Sequence, residues 1–103
     1  FKLNLISKLL LSAQTEYHDG VSEINNIGIV SLENSYSSIL RANSIFLEMD
    51  DFDSQYAVSL SDQFTDLLFA MDNDMPIDMF DIIMDKLIRD VEDAHSNVIL
   101  NSA

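Results

Sequence analysis

Residues 76–98 read PIDMFDIIMDKLIRDVEDAHSNV, with Met79, Phe80, Ile83, Met84, Leu87, Ile88, Val91, Ala94 and Val98 returning at steps of three and four. An α-helix turns once in about 3.6 residues, so these positions form one broad apolar stripe. Asp78, Asp81, Asp85 and Glu92 fall opposite it. Pro76 stands where a first helical turn tolerates a residue without an amide hydrogen. A stripe this wide has to be covered by other helices.

Upstream, Tyr56, Leu60, Phe64, Leu67, Leu68 and Met71 repeat at the same steps and predict a helix of their own. Asp53 or Ser54 suits its N-cap, because a short side-chain oxygen accepts an otherwise unpaired backbone amide, and Asp72-Asn73-Asp74-Met75 ends it. At the amino-terminal side, Leu3, Ile6, Leu10, Ala13 and Tyr17, widened by Leu5 and Leu9, predict a helix that stops near Asp19-Gly20. Glycine readily takes the left-handed conformation that closes a helix. Lys2 to Ala13 has the outline of a signal peptide, but Lys8 interrupts its apolar run and helical spacing accounts for it better.

Between Val21 and Leu47, the positions Ile24, Ile27, Leu32, Tyr36, Ile39, Leu40, Ile45 and Phe46 thread onto a further helix. Asn25, Asn26 and Gly28 weaken its beginning, and the β-branched cluster Ile27, Ile29 and Val30 leaves an extended stretch before Ser31 as the alternative. With one Pro, two Gly and no internal repeat, the simplest architecture is all-α: an antiparallel four-helix bundle, one domain over residues 1–103. A chain of this size buries roughly 65% of the surface its unfolded form exposes, enough for a modest core. Phe64, Phe69 and Phe80 are expected in that core, as are most of the five Met, with Met75 near a turn and available for contact.

Charge is the second organising feature. Of 18 carboxylates, 14 lie between Glu48 and Asp93 against Lys86 and Arg89 alone, so this stretch carries −12 of the net −13. One-sided charge makes a directional field that speeds encounter with an oppositely charged surface and repels nucleic acid. Direct nucleic-acid binding is therefore not expected, and a basic protein partner is. The absence of Cys removes disulfides and thiolate metal sites and suits a reducing cytoplasmic setting. No run of eighteen apolar residues predicts a membrane span.

Catalytic constellations are sparse. There is neither a Cys nor a Gly-x-Ser-x-Gly turn, and Gly20 and Gly28 do not make a phosphate loop, so no catalytic residue is assigned and a non-enzymatic role is expected. Glu92 and His95 have the Glu-x-x-His spacing used in pairs by carboxylate di-iron bundles, but the second copy is missing, with Thr15 at the equivalent position before His18. Asp51, Asp53 and Asp62 match the first, third and twelfth positions of a calcium loop, yet Tyr56 occupies the sixth, where a sharp turn needs Gly. No metal or other cofactor is expected.

The acids are more informative as rows. Asp62 and Asp66 fall four apart on one outer face, and Asp78, Asp81 and Asp85 make a row on another, four helical residues spanning about 6 Å. Such spacing approaches that of successive phosphates on a nucleic-acid strand, so these rows suit the Lys and Arg groups of a nuclease. Like charges at this separation oppose helix formation by a few tenths of a kcal/mol per pair. A solvated surface explains any one of these acids but explains their repetition less well. Phe52 and Tyr56, beside Asp50, Asp51 and Asp53, add apolar anchors to the charged rim.

A small, acidic, cysteine-free helical chain resembles the immunity proteins that bacteria make against colicins and contact-dependent inhibition toxins. The segment Leu67-Leu68-Phe69-Ala70-Met71-Asp72, a helix running into an acidic turn, is similar to the colicin D immunity family. That resemblance implies a four-helix bundle whose carboxylates occupy the basic substrate cleft of an RNA-cleaving toxin. The expected function is thus an immunity protein that neutralises a cationic nuclease toxin. Its partner-binding residues would be Asp50, Asp51, Phe52, Asp53, Tyr56, Asp62, Asp66, Asp78, Asp81 and Asp85. The alternatives are a phage-type DNA mimic, working by the same charge logic, and a secretion chaperone or assembly adaptor, in which exposed apolar surface matters more than charge.

Overall fold

A computed structural model describes the backbone at residues 2–22, 26–49 and 54–102, and side chains at 3–22, 30–49 and 55–94. Four helices follow one another: α1 (Lys2–Ser22), α2 (Asn26–Leu47), α3 (Ser54–Asp72) and α4 (Ile77–Ser102). Each packs on its neighbours in a closed ring, α1 on α2, α2 on α3, α3 on α4 and α4 on α1, and among the described residues the backbones of no diagonal pair come as close. The molecule measures 49 × 21 × 20 Å. A helix with its side chains is about 10 Å across, so the two short dimensions each hold two helices and the arrangement is a square bundle.

The helices run antiparallel. Gln14 of α1 lies opposite Asp85 while His18, one turn later, lies opposite Asp81, one turn earlier on α4. Aromatic contacts tie the corners, Tyr17 stacking on Phe80 with centroids 3.9 Å apart and Phe46 on Phe64 at 5.7 Å. The core follows the apolar spacing of every helix: Leu3, Ile6, Leu10, Ala13 and Tyr17 from α1; Ile39, Ala42 and Phe46 from α2; Leu60, Phe64 and Leu67 from α3; and Phe80, Met84, Leu87, Ile88, Val91 and Ala94 from α4. Burying side chains of this kind contributes about 1.5–3 kcal/mol each before conformational entropy is set against it. One polar side chain joins them: Ser35 is fully buried and donates to the carbonyl of Ala13 at 2.7 Å, holding α2 against α1.

Several positions depart from the sequence expectation. Leu5, Leu40, Met79 and Phe69 are exposed, Phe69 to 70%. Leu5, Leu40 and Met79 sit one residue from the core positions Ile6, Ile39 and Phe80, and one residue rotates a side chain by about 100°, off a stripe only wide enough to face two neighbours. Phe69, two residues past Leu67, points to the far side of α3. Gly20 does not end α1: the helix continues to Ser22, Gly20 is buried and neither glycine has positive φ. Glycine inside a helix costs about 1 kcal/mol against Ala, which close packing of the last turn outweighs. The Ser22 hydroxyl takes up the His18 carbonyl at 2.8 Å. Helix α2 starts at Asn26, so Ile27, Ile29 and Val30 are helical rather than extended. The expected N-cap at Asp53 lies outside the described residues, as does the Ser54 side chain.

The α3–α4 turn is defined by its hydrogen bonds. The Met75 amide donates to Ala70 and the Asp74 amide to Met71, both at 3.2 Å, which is the paired bonding of a Schellman cap. Asp74, with φ of 55°, occupies the left-handed position that Gly usually takes. Beyond it Met75 turns inward and is buried, and the Phe80 amide donates to the Pro76 carbonyl at 3.0 Å to open α4.

Candidate interaction surface

The rows of acids separate once the helices are packed. On α3, Asp62 and Asp66 are fully on the outside, turned away from Leu60, Phe64 and Leu67. On α4, Asp78 is exposed, but Asp81 and Asp85 turn toward α1. Asp81 lies 2.7 Å from Nε2 of His18 and accepts from Gln14 at 3.1 Å, and Asp85 accepts from the same Gln14 nitrogen at 3.0 Å. The His18 hydrogen bond holds the Asp81 carboxyl below the ordinary carboxylate range, helped by Gln14 and by the positive charge of a protonated imidazole and opposed by partial desolvation.

The α3 side of α4 is different again. Asp90 accepts from Gln63 of α3 at 2.7 Å and from Lys86 at 2.8 Å. It too is held below the carboxylate range, chiefly by the Lys86 hydrogen bond, with Gln63 and the charges of Lys86 and Arg89 adding to it against desolvation. Lys86 and Asp90 therefore stand between the α1-facing acids and the α3 row. The two rows look out from different sides of the α3–α4 pair.

Asp50, Asp51, Phe52 and Asp53 lie outside the described residues. Tyr56 is half-buried in the first turn of α3 and packs against the core, so its ring is less available as an anchor than the spacing suggested. Among the described residues two ion pairs form, His18–Asp81 and Lys86–Asp90. Most of the described acids thus have no cation beside them. No group of three or more metal-ligating side chains occurs among the described residues, which leaves the Asp62 end of the calcium-loop spacing without a ligand cluster; the His95 side chain is outside them.

A second feature was not foreseen from the sequence. At the end of the bundle where the α3–α4 turn meets α1 and α2, a cleft of about 680 Å³ opens between Tyr17 and Val21 of α1, Leu32, Glu33, Tyr36 and Ser37 of α2, and Met71, Asp72, Asp74, Met75 and Pro76 around the turn. Its walls are mostly apolar or aromatic. Among the described residues lining it are three carboxylates and no Lys, Arg or His. Burial raises the Tyr17 phenol above its ordinary value, and the charge of Asp74 adds to the shift. In the sequence, Asp72 to Met75 reads as a helix break and Tyr36 as part of an apolar stripe, so only the packing of three distant segments assembles the cleft.

Among the described residues no helix is long and apolar enough to cross a membrane. No family model matches this chain, and no curated protein or solved structure matches it either.

Proposed function

We propose that this chain is a non-enzymatic inhibitor of the immunity-protein kind, which binds a basic protein, a cationic nuclease toxin domain, through acids on α3 and α4. The observation that carries this reading is the −12 charge over Glu48–Asp93 together with the exposure of Asp62, Asp66, Asp78 and Asp85. Fields summed over such a stretch act over about a Debye length, roughly 8 Å at physiological salt, and raise association rate more than they slow dissociation. Asp62 and Asp66 make the better contact row, because neither is engaged within the bundle as Asp81 and Asp85 are. The steering field draws on both sides of α4.

Affinity capture from the native organism tests this reading. The intact chain, and a variant carrying Asp62→Asn, Asp66→Asn, Asp78→Asn and Asp85→Asn, are used as baits at low and high salt, and bound proteins are identified by mass spectrometry. A basic nuclease retained by the intact chain at low salt, lost from the variant, and inhibited by the intact chain in a cleavage assay supports it. A neutral partner held equally by both baits contradicts it.

A second reading, the assembly adaptor or secretion chaperone, draws support from apolar side chains left outside the core of α3 and α4. Val58, Phe69, Met79 and Ile82 are each more than half exposed, between 55% and 70%. Its partner would be apolar and would stay bound at high salt.

A further inference from the structure

We infer that the cleft between α1, α2 and the α3–α4 turn is a receptor site for a cationic side chain, an arginine or a lysine, presented by the bound polypeptide. This rests on the reading of the chain as a binder of a basic protein and adds where a specific residue of that partner docks.

Three properties of the cleft select this occupant. Its volume, about 680 Å³, lies in the range of sites that enclose a small organic group with its neighbours, well beyond the needs of a lone ion. The apolar wall of Leu32 and Met71 suits a methylene stem, which long basic side chains lay along apolar surface while keeping the head group polar. Tyr36 brings an aromatic ring to the lining, against which a cation can pack, and the exposed Glu33, Asp72 and Asp74 bring charge-assisted acceptors with no base beside them among the described lining residues. An anionic ligand would meet three like charges, and a neutral one would leave all three carboxylates without a counter-charge.

Backbone geometry bears on one of those acceptors. Asp74 is held at the left-handed position of the Schellman cap, φ 55°, by the 3.2 Å bonds of the turn, which sets the direction in which its side chain leaves the backbone. Glycine is the ordinary residue at this position. Asp74→Gly therefore removes the charge while keeping the conformation, and separates loss of binding from loss of fold.

The test uses the full-length chain, labelled with ¹⁵N, and two probes: the acetylated, amidated dipeptide Leu-Arg and its counterpart with citrulline, a neutral isostere of arginine. Saturable amide shifts at Val21, Leu32, Tyr36 and Met71 with the arginine probe are expected, with affinity about tenfold lower for citrulline, the effect of one lost charge-assisted contact. Glu33→Gln with Asp74→Gly should weaken the arginine probe by a similar factor or more. Glu92→Gln with Asp93→Asn, an equal loss of charge on exposed positions of α4, should leave it unchanged. Equal binding of the two probes, equal weakening by the two double variants, or no shifts at the cleft overturns the inference. Shifts confined to the Asp62–Asp66 row would overturn the cleft while leaving acidic capture intact. Capture of a neutral partner by the intact chain would instead sink the reading beneath it.

Discussion

The phenolic hydroxyl of Tyr17 donates to the main-chain carbonyl of Met75, so the C-terminal part of α1 is bonded to the turn that joins α3 to α4. The same ring stacks on Phe80 at an interplanar angle of 11°. One side chain thus ties together the helix, the turn and the floor of the cleft. Tyr17→Phe keeps the ring and its stack but leaves a buried carbonyl without its donor. It should destabilise the fold by about 1 kcal/mol, read from urea unfolding, with the largest amide shifts at residues 74–76. An unchanged unfolding midpoint would show that the bond contributes nothing.

Asp74 gives a second, opposite pair of expectations. A Cβ in the left-handed region is tolerated by Asp and Asn but poorly by Ala, so Asp74→Ala should destabilise by about 1 kcal/mol. Asp74→Gly should be neutral or stabilising, since the turn already holds the φ that glycine prefers. Thermal melts of the two variants side by side check this, and equal losses would contradict the cap geometry.

The stability of the bundle should fall in acid through two named carboxylates. Asp81 and Asp90 are both held below their ordinary value, Asp81 chiefly by His18 and Asp90 chiefly by Lys86. A depressed folded-state value means the unfolded chain binds protons first. The stabilisation is therefore complete above about pH 4 and is lost as pH falls through the folded-state values. Asp81→Asn with Asp90→Asn should flatten the dependence of unfolding free energy on pH below about 4. A slope identical to that of the intact chain would place the acid response elsewhere.

Two phenylalanines five residues apart on α3 should respond very differently. Phe64 is wholly buried and Phe69 is 70% exposed. Phe64→Ala should cost about 3–5 kcal/mol and threaten folding outright, whereas Phe69→Ser should stay within about 0.5 kcal/mol. If Phe69→Ser also lowers partner retention at high salt, exposed apolar contact matters to binding as well as charge. Circular dichroism melts and a pull-down on the same preparations supply both readings.

These contrasts show where the sequence was legible. The spacing of Leu3, Ile6, Leu10, Ala13 and Tyr17 predicted a helix face that is buried at every position, because a strict three-and-four repeat leaves one way to meet a core. Leu5, Leu40 and Met79 fall outside the core because apolar identity says nothing about which edge of a wide stripe a neighbouring helix covers, and Phe69 because it stands off the α3 stripe altogether, two residues past Leu67. Gly20 has the local preference of a helix stop, but its burial in the last turn of α1 overrides that preference. The acids were identifiable as rows but not as partners: that Asp81 would meet His18 and Asp90 would meet Gln63 depends on the register between helices distant in sequence. The cleft was invisible for the same reason, since Tyr17, Tyr36 and Asp74 converge only when α1, α2 and the turn are packed.

Electrostatic capture is most directly measured as the association rate of the recovered basic partner between about 50 and about 500 mM salt, for the intact chain and for the Asp62→Asn, Asp66→Asn, Asp78→Asn, Asp85→Asn variant. The expected result is a rate that falls steeply with salt for the intact chain, starts lower and falls less for the variant, and is accompanied by a smaller change in dissociation rate. Association that is indifferent to salt, or identical for the two proteins, would contradict capture by the acids of α3 and α4.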